Sequence, residues 1–434
     1  MVRNEAADRR VTGPRKRGPV RGRASGALIF LSVGIFVVLV QFALWNISEP
    51  ELLFSDFYKA YYPAGQVLLR EGPRQTWQIG EDTSLAFVNL PILGYLFVPL
   101  ALLERPTAGF LYLGIGVAAV VAMAVLLASW LRLRGRTFAV LVMLFAANGP
   151  LVNSLREGNT THIVGLLLVV SLIFICSGRQ FLAGVLLGFC ALIKLPLILF
   201  CAYYVASRRW RIAAGAILVI SLLGLASFLV FGSEVNIGWY HKCVAPYLTG
   251  VVGAFNVQSI DAFLLRLVTG ASLLWEWEPV EVSVAHRIAR FLLVGAILGS
   301  ALFLMWRANR VRQHSWTGDM TALADLEFVM VLSVALVVSP LSWVHYYLLL
   351  LLPAALAVGG RLSVKGHERV VPWLIYGGLT LASMPVAIPD LEDSALGPFV
   401  ARTAVSVWLF GGLLMIGGLM RAAWLGLNRS GSRS

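Results

Sequence analysis

Five short polar stretches of this 434-residue chain carry the side chains that could do chemistry. In the first, within the segment 47–86, Asp56 lies beside aromatic residues typical of membrane interfaces, namely Phe57, Tyr58, Tyr61 and Tyr62. A carboxylate held among such rings is partly desolvated, and its raised proton affinity suits a general base. The alternative is that Asp56 caps the short helix that follows it.

The second stretch reads NSLREGNTTHIVG over residues 153–165 and contains Arg156, Glu157, Asn159 and His162. It lies between two apolar runs, and Gly158 would allow the backbone to approach another segment closely. One interpretation is a hydrogen-bonding group for a sugar. The other is an ordinary solvated loop in which a helix begins at one of the two threonines.

The third stretch, FCALIKLPLILF, places Lys194 between apolar residues on both sides. A charge at membrane depth costs at least about 2.5 kcal/mol on the insertion scale. Pro196 breaks the helix just beyond it, so the ammonium would lie near an interface where an anionic lipid phosphate can reach it. The alternative is that Lys194 only snorkels its charge into water.

The last two stretches are NVQSIDAFLLRLV, within the long segment 232–285, and SPLSWVHYYLLLLLP. The first is typical of an interfacial amphipathic helix with Gln258 and Arg266 off its apolar face, and a structural lid explains it equally well. The second places Trp343 and His345 at one membrane edge. His345 could orient a carboxylate or bind a phosphate, or be a hydrogen-bonded interface residue.

The composition indicates the solvent in which these stretches are positioned. Hydrophobic residues make up 59% of the chain and charged residues 13%, with a mean hydropathy of +0.80. So few charges cannot cover a water-facing surface, which excludes an ordinary soluble protein. The net charge of +13 comes from basic residues in short loops between apolar runs, a topology signal rather than a nucleic-acid surface.

The apolar segments predict an all-α polytopic membrane protein of about twelve transmembrane helices with extracytoplasmic interfacial helices. This count requires 87–103 to dip into the bilayer without crossing it, and 181–207 to form two short spans that turn at Lys194. The apolar segments are 27–46, 87–103, 108–130, 137–153, 163–177, 181–193, 196–207, 212–231, 286–306, 322–339, 345–360, 371–388 and 400–420.

Lys and Arg near span ends mark the cytoplasmic side, and this rule fixes the predicted orientation. It predicts a disordered basic cytosolic tail over 1–26, a membrane-embedded domain over 27–420 and a basic cytosolic tail over 421–434. We therefore expect an integral protein of the plasma membrane with both termini in the cytosol. The same orientation brings all five polar stretches to the extracytoplasmic face.

At these residues the chain resembles the family-87 glycosyltransferases, C-type (GT-C) membrane enzymes that use polyprenyl-phosphate sugars as donors. The family includes mycobacterial mannosyltransferases of phosphatidylinositol mannoside synthesis. The likeness runs from about the first span to the last. The stretches that carry it are SDFYKAYYPAGQVLLREG, LPILGYLFVPLALL, LREGNTTHIVGLLL, FLAGVLLGFCALIKLPLILF, NVQSIDAFLLRL and SPLSWVHYYLLLLLP.

The resemblance implies a GT-C-like bundle and an inverting transfer of a hexose, mannose first, to a lipid or glycan acceptor. Asp56 would be the general base that takes the proton of the acceptor hydroxyl, and Lys194, Arg266 and His345 would bind the donor phosphate. The implied partners are the polyprenyl-phosphate sugar, the acceptor and membrane lipids, with no metal or other cofactor. The residues expected to bind substrate are Tyr62, Arg156, Asn159, His162, Gln258 and Trp343.

The chain departs from the family pattern at three places, which bear on the identity of sugar and acceptor. The Tyr-Pro-Pro element reads Asn-Leu-Pro at 89–91, the Gly-Gln element reads Gly-Asn at 158–159, and the paired histidines read His-Tyr at 345–346. An arabinofuranosyltransferase of the same type is the nearest variant. A transporter or flippase of lipid-linked glycans is the alternative of a different class, although no internal repeat is evident.

Overall fold

The computed structural model describes residues 53–73, 87–314, 320–362, 369–386 and 396–431. The predicted first span 27–46 and the predicted tail 1–26 lie outside the described residues. So does much of the segment 47–86. Within the described part of the chain the structure is helical, and the only strand-like pairs are two isolated bridges, Val251 with Val280 and Val257 with Trp343.

Seventeen α-helices are described, connected by short turns and by short segments of π or 3-10 helix. The π and 3-10 segments are Phe57–Tyr61, Pro91–Phe97, Leu195–Leu197, Val344–Leu350 and Ala404–Ser406. In chain order the α-helices are α1 Tyr62–Arg70, α2 Val98–Ala101, α3 Arg105–Trp130, α4 Arg136–Ala146, α5 Gly149–Arg156, α6 Thr161–Cys176, α7 Gln180–Ile193, α8 Ile198–Ala206, α9 Trp210–Cys243, α10 Ala245–Thr249, α11 Ile260–Thr269, α12 Val284–His314, α13 Met320–Val338, α14 Leu351–Val358, α15 Val370–Ala382, α16 Gly397–Arg402 and α17 Val407–Gly431.

Four described segments are long and apolar enough to cross a membrane, namely Arg105–Trp130, Trp210–Thr249, Val284–Ala308 and Gly397–Leu427. A fifth crossing is possible through α4 and α5, which pass the same test together but bend by 51° at their junction. Six further apolar helices have 10–17 residues. The chain is therefore an all-helical polytopic membrane protein, and the predicted number of twelve spans stays a prediction.

The shorter apolar helices do not reach across a hydrocarbon core of about 30 Å, because 17 residues of α-helix extend only about 26 Å. The segment Pro91–Ala101 is one of them. The predicted path of 87–103, which enters the bilayer without crossing it, stays a prediction, as do the crossings predicted for the other short helices. The last helix, α17, continues to Gly431, so the predicted cytosolic tail over 421–434 is helical for most of its length.

Close contacts between α7 and α9 position the turn at Lys194. A Cβ added to Gly184 would lie 2.0 Å from the Ile212 carbonyl oxygen, and one added to Gly188 would lie 2.8 Å from that of Ala216. Small residues therefore let these helix backbones touch, as is common between membrane helices. Since both contacts advance along the chain together, α7 and α9 run parallel. The helix that connects them in the chain, α8, runs in the opposite direction.

Two buried ion pairs lie at the end of the bundle where α6 finishes. Arg361 pairs with Asp325 and Arg209 pairs with Glu327, and the Cys176 thiol lies 3.4 Å from the Asp325 carboxylate. Both carboxylates are in α13 and are fully buried, so each needs a cation beside it. The opposite end of α6 begins at Thr161, roughly 24 Å away for sixteen helical residues.

Candidate active site

The Asp56 carboxylate is held by the turn between α5 and α6. The Nδ2 atom of Asn159 donates to Asp56 Oδ2 at 2.6 Å, and the Asp56 backbone amide donates to the Glu157 carbonyl at 2.9 Å. The side chain of Asp56 makes no capping hydrogen bond to the helix that follows. The capping alternative is therefore wrong, and the carboxylate faces the second polar stretch instead.

Asn159 connects this carboxylate to Lys194. Its Oδ1 atom accepts from Lys194 Nζ at 3.0 Å and from the backbone amide and hydroxyl of Thr161 at 2.9 and 2.7 Å. With three donors on the oxygen, the amide has one favourable orientation, in which its NH₂ group points at Asp56. The segment around Asn159 is thus a buried hydrogen-bonding element rather than a solvated loop.

Gly158 permits this tight turn, as the sequence predicted. Its φ is +67°, in the left-handed region, and a Cβ at this position would lie 2.7 Å from the Cβ of Phe57. Glycine alone fits both conditions without strain. The close approach brings Glu157 and Asn159 against the helical turn that carries Asp56.

The Lys194 ammonium points into the bundle and does not snorkel. The residue is 6% exposed, and its Nζ lies 3.0 Å from Asn159 and 4.7 Å from the centre of the Tyr346 ring. A cation over an aromatic face is attracted by the negative electrostatic potential of the ring face, which arises from its quadrupole. The tyrosine that replaces the second histidine of the family pattern therefore contacts the candidate phosphate-binding lysine.

His345 and Glu157 complete the cluster. The His345 Nδ1 atom lies 3.7 Å from Glu157 Oε2, and one ligand-type atom from each of Asp56, Glu157 and His345 lies within 4.8 Å of the others. The His345 ring lies parallel to that of Trp343, 6.4 Å between centres. Its Nε2 atom is buried without a hydrogen-bond partner among the described residues, so it is available to a ligand.

Burial dominates the electrostatics of the two carboxyl groups. It raises the pKa of Asp56 above its ordinary value, and the neighbouring Glu157 carboxylate raises that pKa further. The bond from Asn159 and the charge of Lys194 oppose this shift. Burial also raises the pKa of Glu157, to about 7. Glu157 can therefore exchange a proton near neutral pH, as acid–base chemistry requires.

The predicted residues Arg156 and His162 lie on either side of the turn that carries Glu157 and Asn159. The carbonyl of Arg156 accepts from the Phe54 amide at 2.7 Å, and His162 Nδ1 lies 3.0 Å from the hydroxyl of Ser154. Both side chains are almost fully buried. Tyr62 is placed differently, because its hydroxyl donates to the Leu103 carbonyl at 2.8 Å. Their predicted contacts with substrate stay predictions.

Arg266 and Gln258 have contacts that hold the loop 250–258 together. The Arg266 guanidinium, 0% exposed, donates to backbone carbonyls and one hydroxyl, on Gly253, Ala254, Val257 and Ser406. The Gln258 amide donates to the carbonyls of Phe255 and Val405. This loop in turn receives the Val344 amide on Asn256 at 2.7 Å, beside His345. The predicted role of Arg266 in phosphate binding stays a prediction.

These contacts give a first testable expectation. Arg266→Ala should lower the free energy of unfolding by about 3 kcal/mol or more, since it leaves several buried carbonyls unsatisfied. Thermal melting in detergent measures this, with the exposed Arg287→Ala as the matched control. A variant that melts like the wild type but loses donor affinity would instead support phosphate binding by Arg266.

The cluster also contains three side chains of the types that ligate metal ions. The three atoms of Asp56, Glu157 and His345 are close enough to ligate one divalent cation. The ammonium of Lys194, bonded to the same network, opposes a further positive charge there. We do not assign these residues as metal ligands, and the expected metal independence stays a prediction.

Comparison with known proteins fits this geometry. A polyprenol-phosphate-mannose-dependent alpha-(1-2)-phosphatidylinositol pentamannoside mannosyltransferase of Mycolicibacterium smegmatis is 26% identical over 359 residues, 81% of this chain and 79% of that enzyme. A polyprenol-phosphate-mannose-dependent alpha-(1-2)-phosphatidylinositol mannoside mannosyltransferase of Mycobacterium tuberculosis is 25% identical over 360 residues, 78% of this chain and 77% of that enzyme.

Residues 87–340 match the model of glycosyltransferase family 87, which is more than half of the chain. Lys194 and Asn159 lie within the matched range, whereas Asp56 precedes it and His345 follows it. The structure joins all four in one cluster. The resemblance predicted from the sequence is thus confirmed, and the chain belongs to glycosyltransferase family 87.

Proposed function

We propose that this glycosyltransferase transfers a hexose, mannose, from a polyprenyl-phosphate donor to a lipid or glycan acceptor at the extracytoplasmic face. The observation that supports this best is the bridge through Asn159, which donates to Asp56 and accepts from Lys194. The base, Asp56, and the cation, Lys194, are therefore separated by a single side chain, that of Asn159. Attack on a phosphate-linked sugar needs both, because one reactant loses a proton while the leaving group gains negative charge.

In the proposed reaction, the acceptor hydroxyl oxygen attacks the anomeric carbon while Asp56 takes the hydroxyl proton. The bond from the anomeric carbon to the phosphate oxygen breaks, and its electron pair leaves with the polyprenyl phosphate. Lys194 faces the growing charge on that phosphate, together with the Nε2 atom of His345, which has no hydrogen-bond partner among the described residues. Attack in line with the departing oxygen inverts the configuration at the anomeric carbon.

The proposed sidedness follows from the two ends of the bundle. Arg209 and Arg361 lie at the end where α6 finishes, and Arg179 follows α6 directly. Asp56 contacts the turn that precedes α6, at the opposite end of the bundle. Because α7 and α9 run parallel, Lys194 at the end of α7 lies at that end too. Because basic residues mark the cytoplasmic side, the carboxylate and the lysine would face outward.

The choice of mannose rests on the two mycobacterial relatives, both named as polyprenol-phosphate-mannose-dependent enzymes acting on phosphatidylinositol mannosides. Neither of these two is named for an arabinofuranose donor. A transporter or flippase would need neither a buried base nor a cation bonded to the same amide. Family membership therefore favours the enzyme over the transporter.

The proposal is tested with purified protein and two labelled donors, polyprenyl-phosphate mannose and polyprenyl-phosphate arabinofuranose, with phosphatidylinositol mannosides as acceptor. We expect mannose transfer, in the presence of EDTA, to a product whose anomeric configuration is opposite to that of the donor. NMR of the product reads the configuration. Retention of configuration would contradict direct attack by the acceptor, and preferential arabinose transfer would contradict the choice of sugar.

A further inference from the structure

Glu157 is a partly buried acidic group of the cluster, for which the sequence suggested only a place in a hydrogen-bonding group for a sugar. We infer that Asp56 and Glu157 form a carboxyl pair that holds one proton, carried by Glu157, so that Asp56 enters the reaction as the ionised base. This inference rests on the proposed function, because it assigns a task to Glu157 within the same site. Glu157 acts through Asp56 and is a positioning residue.

The two carboxyl groups are fixed against each other by side chains and backbone. Their oxygens fall within the 4.8 Å cluster that also includes His345. The backbone amides of Asp56 and Phe57 both donate to the Glu157 carbonyl, at 2.9 and 3.2 Å. The backbones of Asp56 and Glu157 therefore cannot separate without breaking these bonds. Two like charges at this distance in a desolvated site are unfavourable, so the pair favours a state with one proton.

A short hydrogen bond to Asp56, rather than the nearby cations, indicates which member carries that proton. Asp56 accepts a charge-assisted bond from Asn159 at 2.6 Å, and that amide is held by Lys194, which favours the ionised form of Asp56. Glu157 faces the cations Lys59, Arg156 and Lys194 and a side-chain bond from Asn153, yet burial outweighs them and brings its pKa to about 7. His345, at 3.7 Å, is beyond hydrogen-bonding distance.

A proton on Glu157 has a use when the donor binds. The phosphodiester of a polyprenyl-phosphate sugar adds a negative charge beside Asp56. Were Glu157 also ionised, Lys194 would face three anionic groups at once. Neutral Glu157 thus lets an ionised base and an anionic donor occupy the same desolvated site.

Infrared titration of the full-length protein in detergent tests the shared proton without relying on turnover. Near pH 6, the difference between wild-type and Glu157→Gln spectra should contain a protonated carboxyl band that the variant has lost. In Asp56→Asn, the same band should persist but titrate lower by about one pH unit or more, because its like-charged neighbour is gone. A structural role for Glu157 would not produce this coupling.

Two results would overturn the inference: no protonated carboxyl band assignable to Glu157 near pH 6, or a Glu157 titration that is unaffected by Asp56→Asn. The second measurement retains Glu157, so it remains decisive if Glu157→Gln fails to fold. Failure of the proposed function is distinguishable from both. In that case the wild type transfers no sugar from polyprenyl-phosphate mannose, whatever the infrared spectra show.

Discussion

Asp56→Asn is expected to lower the turnover of sugar transfer by roughly 10²- to 10⁴-fold, the usual contribution of a positioned general base. Asparagine keeps the size of the side chain, and its carbonyl oxygen can still accept from Asn159. The variant loses the charge and the basicity and retains the shape. Donor binding should therefore survive, because its main cation, Lys194, keeps its bond to Asn159.

This expectation is checked by measuring turnover and donor affinity on the same preparation. Glu71→Gln is the matched control, since Glu71 is an exposed carboxylate just after α1 and should not alter turnover. Loss of both activity and donor binding in Asp56→Asn would point to a disrupted site. Turnover equal to that of the wild type would remove Asp56 from the mechanism.

The main members of the candidate site could be predicted because the predicted topology places their segments at the same membrane face. Basic residues in the loops fix which segments share a face, and that sorting brings Asp56, Asn159, Lys194 and His345 together without any knowledge of packing. The predicted cluster has the contacts expected of neighbours, with 2.6 Å from Asn159 to Asp56 and 3.0 Å from Lys194 to Asn159.

The directions of side chains could not be predicted in the same way. Glu157 and Asn159 are separated by a glycine at positive φ, which turns the chain so that both side chains reach the cluster. Nothing in the spacing of these residues gives that φ angle. Similarly, the contacts of Arg266 depend on a loop that folds back over it. The helical pattern placed Arg266 off the apolar face, whereas its guanidinium is buried among backbone carbonyls.

The helical pattern was predicted more reliably than the lengths of the spans. The ends of apolar segments predicted two of the breaks. The segment 212–231 ends next to Gly232, whose φ of +80° interrupts α9. The predicted turn at Lys194 has an extended backbone, with φ of −133°, between two short helices. The sequence did not predict that the helix resumes after Gly232 and continues to Cys243, because that part of α9 falls in the segment 232–285, which lacks a long apolar run.

The second large effect is expected at the lysine that the turn after α7 carries into the site. Lys194→Met should weaken the binding of polyprenyl-phosphate mannose by roughly 10- to 100-fold, since a hydrogen bond to a charged group contributes about 1.5–3 kcal/mol. Methionine retains the apolar stem, which fills the space beside Tyr346. The variant therefore removes the charge with little loss of packing.

Equilibrium binding of the labelled donor measures this effect in the absence of acceptor, so that turnover does not contribute. Lys242→Met is the control, because Lys242 lies in α9, away from the Asn159 network, and its removal should change the affinity less than threefold. Thr161 still holds the Asn159 oxygen in the Lys194 variant, so the amide keeps its orientation toward Asp56. Equal donor binding by Lys194→Met and the wild type would show that the buried ammonium serves the turn itself and not the donor phosphate.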